Sequence, residues 1–197
     1  MAQISASPTI ATSSRAYLSI RWAVSMVMGS ALVAVCAHVS VPLFFTPVPM
    51  TLQPFAVLLL GLLLDPATAF ATLTLYLVEG ASGLPVFTPQ GPGGMPQLMG
   101  PTGGYLMSYP FVAALVSVVY RRLRLPHFVS GLIAATAGDV LILASGTAWM
   151  AVIMRQHFSN VLSMSVVPFL AGDAVKICTA SAIIAGWQLM RKREAGN

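Results

Sequence analysis

The sequence predicts an all-α, polytopic membrane protein: six transmembrane helices with both termini in the cytoplasm. Three observations carry that prediction. Of the 197 residues, 57% are hydrophobic and 8% charged, with a mean hydropathy of +0.84, whereas an ordinary globular domain carries about 25% charged residues. Apolar runs occupy most of the chain and leave no room for a soluble domain beside them. The basic residues behind the net charge of +5 sit in short clusters at the ends of those runs, a pattern of membrane orientation rather than of phosphate binding, so no nucleic-acid partner is expected.

Residues 1–14, MAQISASPTIATSS, are small and polar and are expected to form a disordered tail; 15–193 form one membrane domain. No cationic segment with a cleavage site precedes the first span, so that span is expected to act as an uncleaved insertion signal. It covers about 21–41 and stops near Pro42. The second and third, about 52–64 and 67–79, are separated by Asp65-Pro66, which ends one helix and caps the next. Both are short against the roughly 20 apolar residues a bilayer requires. The remaining spans lie at about 104–120, 128–152 and 165–190. Between the third and fourth, GASGLPVFTPQGPGGMPQLMGPTGG forms a Gly- and Pro-rich outer loop over 80–104. Its apolar side chains, among them Leu84, Phe87 and Leu98, mark an ordered lid or binding loop rather than a solvated linker.

Lysine and arginine placement sets the orientation. With the N-terminus inside, Arg15, Arg21, Arg121, Arg122, Arg124, Arg191, Lys192 and Arg193, eight of the ten basic residues, are cytoplasmic. Arg155 is outside, and Lys176 lies within the last span. At about 1.5 Å per residue, Lys176 stands roughly 22 Å above Arg191, in the outer half of its helix. Thr51, Gln53, Glu79, Tyr105 and Asp173 fall at the same level from four helices. Polar groups converging in an apolar bundle beneath an apolar lid describe a small-molecule pocket. Asp173 and Lys176 are three apart and share a helix face, where they can neutralise each other. Each charge at membrane depth costs about 2.5–3.5 kcal/mol on insertion scales, so a ligand or partner is expected to offset the remainder. Asp139, at mid-depth in the fifth span, suits either a counter-ion to Lys176 or a helix–helix contact.

Several classes of function find no support in the residues. The chain contains no GxxxxGK[ST] phosphate loop and no Ser/His/Asp or HExxH arrangement, so an enzyme is not expected. Cys36 and Cys178 lie singly in apolar runs without metal-ligand spacing and read as small buried hydrophobes, implying neither disulfide nor metal.

Four motifs, in order, resemble one family: PVPMTLQ within FFTPVPMTLQPFAVLLLGLLLDP, GLPVF within YLVEGASGLPVF, GPTGGYL, and GDAVK. Together they are similar to BioY, the biotin-specific substrate-capture (S) components of energy-coupling factor (ECF) transporters, over about 40–180. The resemblance implies a six-helix bundle in the cytoplasmic (inner) membrane of a prokaryote. It implies high-affinity biotin capture for uptake, with no cofactor, and assembly with a membrane coupling subunit and two ATPase subunits. Asp173, Lys176 and Tyr105 would then line the biotin site by motif. Small residues on the first span, Ser30, Ala31, Ala34 and Ala37, would meet the coupling subunit. The alternative is a self-sufficient or cation-coupled carrier, with Asp139 or Glu79 as its ion site.

The residues suit biotin. Its ureido ring offers two N–H donors to the Asp173 carboxylate, a charge-assisted bond about twice as strong as a neutral one. Its carboxylate tail offers a partner to Lys176, which alternatively balances Asp173. Phe44, Phe87, Tyr105 and Trp149 are expected to supply apolar and aromatic walls.

Overall fold

The computed structural model describes residues 9–155 and 157–195, with side chains described from residue 20 onward except at 158. The first eight residues of the expected tail and the side chain of Arg15 lie outside the described residues. Among the described residues the regular elements are all helices but for one small hairpin. In order it forms α1 (Thr9–His38), β1 (Ser40–Val41), β2 (Met50–Thr51), α2 (Gln53–Leu63), α3 (Pro66–Ala81), α4 (Gly94–Met99), α5 (Gly103–Arg122), α6 (His127–Met154), α7 (Phe158–Ser165) and α8 (Leu170–Ala195).

Ile20–His38 of α1, together with α5, α6 and α8, is long and apolar enough to cross a membrane. The shorter α2 and α3 run about 16 and 24 Å at 1.5 Å per residue, less than the roughly 30 Å hydrocarbon core. In α2, Ala56, Val57 and Leu58 are fully buried, and the helix packs against α1, α5, α6 and α8. A helix that is apolar on all sides belongs inside protein, so α2 is the pillar around which the longer helices stand.

Local chemistry sets the boundaries. Asp65 caps α3, accepting from the Thr68 N–H at 3.1 Å and the Thr68 hydroxyl at 2.5 Å, while Pro66 occupies the first turn, where a missing N–H costs nothing. The hydroxyl bond holds the Asp65 carboxyl below its usual range. Trp22 Nε1 donates to the Thr68 hydroxyl at 2.9 Å and fastens α1 to this turn. The first helix ends at His38, earlier than expected, because Ser40 and Val41 pair antiparallel with Thr51 and Met50. Two short helices, α4 and α7, stand where the sequence predicts only connections, and α8 begins at Leu170 rather than 165. On α8 the buried positions are Asp173, Lys176, Ile177, Ala180, Ser181 and Ile184, a helical stripe facing α6 and α2. Cys36 is buried as expected, but Cys178 is exposed on the opposite face of α8.

Candidate functional site

At the hairpin end of the bundle, α2, α5, α6, α8 and the 80–104 loop line a mostly apolar cavity with a few convergent polar groups, the make-up of a small-molecule site, with about 50 Å³ open to water-sized molecules. Thr51, Gln53, Tyr105, Asp173 and Lys176 all line it, as their common level predicts. Lys176 Nζ donates to Asp173 Oδ1 at 2.8 Å, and both residues are buried. Among the described residues nothing bonds the second carboxylate oxygen of Asp173, which remains available as an acceptor.

Several of the polar wall groups are held from behind. Gln53 Nε2 donates to the Tyr76 hydroxyl at 2.6 Å, and that hydroxyl donates to the Val86 carbonyl at 3.0 Å. One chain of bonds thus joins α2, α3 and the loop. Thr51 donates to Gln53 Oε1 at 3.3 Å. Tyr105 donates to the Ser165 carbonyl at 2.9 Å, and its ring lies against Gly146, where a Cβ would come within 2.2 Å of it. Glycine at 146 therefore makes the seat for that ring. Below, Asp139 and Tyr109 also line the cavity, and neither has a hydrogen bond among the described residues. Two carboxylates and one ammonium, all at least nine-tenths buried, thus share one small space.

Four predicted wall residues stand elsewhere. Phe44 is fully exposed: the turn between β1 and β2 carries it away from the bundle. Glu79 accepts from the Ser30 hydroxyl, so it joins α3 to α1 instead of reaching the cavity. Phe87 is buried against Gly80 and stacks edge-on with Tyr76 at 5.5 Å, holding the loop down from the side. Trp149 donates from Nε1 to the Gly100 carbonyl at 2.9 Å and packs on Gly104, which fixes the loop's far end. On α1, Ser30 and Ala37 face the interior, Ala34 is half-buried and Ala31 is exposed.

The loop supplies wall residues that the sequence does not single out: Thr88, Gln97 and Thr102. Thr88 donates to Gln90 Oε1, which also accepts from Ser40 at 2.6 Å, joining loop and hairpin. The Gly/Pro segment holds two glutamines, Gln90 and Gln97, and no sequence signal separates the one that lines the cavity from the one that ties loop to hairpin. No group of three His, Cys, Asp or Glu that could hold a metal occurs among the described residues.

Comparison with known proteins gives a consistent picture. The family model described as the BioY family matches residues 9–193. A probable biotin transporter BioY from Pyrococcus horikoshii is 35% identical over 153 residues, covering 78% of this chain and 87% of the relative. The biotin transporter BioY of Thermotoga maritima is 33% identical over 154 residues, covering 78% and 88%. The crystal structure at 2.1 Å of the S-component for biotin from an ECF-type ABC transporter superposes with a TM-score of 0.80 at 22% identity. It covers 87% of this chain and 93% of that one, and the two share a fold. With its matched length, its relatives and its motifs in agreement, this multi-pass membrane protein belongs to the BioY family.

Proposed function

We propose that this protein captures biotin for uptake, as the substrate-binding component of an ECF-type transporter in the cytoplasmic membrane of a prokaryote. The observation that carries this reading is the cavity itself. A buried Asp173–Lys176 pair and a second carboxylate at Asp139 face one mostly apolar cavity, in a chain whose relatives are named biotin transporters. Asp173 Oδ2 and Asp139 are the acceptors for the two ureido N–H groups. Lys176 meets the tail carboxylate or continues to balance Asp173. Tyr105 and Ile142 cover the apolar bicycle. The Gln53–Tyr76–Val86 chain keeps the loop over the ligand.

Six membrane-crossing helices, with both termini cytoplasmic and the cavity toward the outer face, are part of the same proposal. It is supported by basic residues in the first half of α1, closing α5 and near the end of α8. A membrane coupling subunit and two ATPase subunits complete the transporter. Gentle purification followed by mass spectrometry of the released small molecules tests the ligand. Biotin is expected at near one molecule per chain after growth on biotin, and a different vitamin in its place would overturn the assignment.

A further inference from the structure

One donor on the cavity wall has nothing to bond. Gln97 is 1% exposed and lines the cavity from α4. Its amide orientation is fixed, because Oε1 accepts from the Gly93 N–H at 3.1 Å. Its backbone carbonyl is also engaged, accepting from the Gly100 N–H at 3.3 Å and from the Thr102 hydroxyl at 3.4 Å. A Cβ at position 91 would lie 2.6 Å from the Gln97 amide carbon, so Gly91 gives this side chain its room. What remains is Nε2, buried and without an acceptor among the described residues. Leaving a buried donor unbonded is costly, and an apolar residue of similar length would pack the same volume without that cost. Thr88, Thr102 and Tyr105 on the same wall direct their hydroxyl protons to protein oxygens.

We propose that Gln97 donates a hydrogen bond from Nε2 to an oxygen of the bound ligand, and so determines specificity from the loop. The proposal rests on the reading that this cavity takes biotin. Biotin offers two kinds of acceptor oxygen, the ureido carbonyl and the tail carboxylate, and either satisfies the orphan donor. Because Gln97 sits on α4, the same bond ties the loop to the ligand.

Titration calorimetry on the full chain tests this with two variants and three ligands. Gln97→Met removes the donor; Gln97→Glu removes it while keeping an oxygen for the Gly93 N–H, and carries the test alone should Gln97→Met fail to fold. Both are expected to weaken biotin at least about tenfold. If the tail is the partner, that penalty falls below about threefold with a biotin analogue whose tail ends in a methyl group in place of the carboxylate, which removes both acceptor oxygens. If the ring carbonyl is the partner, it falls with 2-iminobiotin, in which nitrogen replaces that oxygen. Wild-type affinity in Gln97→Glu would assign Gln97 to bracing Gly93 and overturn the proposal, as would equal penalties for all three ligands. A wild-type chain that does not bind biotin overturns the functional reading as well. Wild-type binding with insensitive variants overturns this inference alone.

Discussion

Asp173 and Lys176 sit one helical turn apart and meet at 2.8 Å in a site almost closed to solvent. Their mutual attraction offsets part of the cost of burial, yet apolar residues of like volume would stabilise the fold at least as well, so their retention points to binding. Asp173→Asn is expected to weaken biotin by about 1.5–3 kcal/mol, the usual worth of a hydrogen bond to a charged group. Calorimetry on the purified variant decides it, and unchanged affinity removes Asp173 from the site. Lys176→Met separates two roles. If Lys176 meets the tail, the wild type binds biotin methyl ester more weakly than the free acid, and the variant barely distinguishes them. If it serves only Asp173, the variant loses both ligands by similar factors. In either case it melts earlier, since a buried carboxylate deprived of its partner costs about 3–5 kcal/mol. These two residues were legible because charge inside an apolar run is conspicuous. Phe44 and Glu79 were not, because sequence places a residue at a level along a helix without saying which neighbour it turns toward. Glu79 turns to Ser30 and Phe44 to the outside.

Among the elements, the long helices followed from apolar runs with basic ends, and Asp65-Pro66 marked the break between α2 and α3 within a residue. The hairpin and the helices α4 and α7 were not foreseeable, because pieces of two to eight residues are too short for local periodicity to specify and are held by tertiary contacts. The 80–104 loop shows this most plainly. Its apolar side chains announced an ordered segment, but its order comes from remote partners: Tyr76 for Val86, Gly80 for Phe87 and Trp149 for Gly100. Around Leu84 and Met95, which are exposed, such anchors thin out, and segments with few buried contacts open most easily. If ligand closes the loop, biotin should slow hydrogen exchange across 84–99 relative to the unliganded protein. Identical exchange with and without biotin would make the loop a static wall.

For the whole molecule, the capture site is built and the source of energy is not. The cavity lies at one end of the bundle, roofed by the hairpin and loop, and the sequence contains no phosphate-binding loop through which the chain could use ATP. Binding energy alone moves ligand to equilibrium and no further, so accumulation requires work supplied from outside the chain or from an ion gradient. The two readings differ in Asp139. In an ECF-type assembly it is a ligand acceptor; in a cation-coupled carrier it is the ion site, since it is the cavity carboxylate without an ion pair among the described residues. Proteoliposomes distinguish them. The chain alone is expected to bind biotin without concentrating it, whether or not a proton or sodium gradient is imposed. Adding a coupling subunit and two ATPases should then give ATP-dependent accumulation. Asp139→Asn in that full assembly should lower apparent biotin affinity while leaving the ATP requirement intact. Accumulation by the chain alone under an ion gradient, abolished by Asp139→Asn, would instead make this protein a carrier in its own right, with the same cavity serving both ligand and ion.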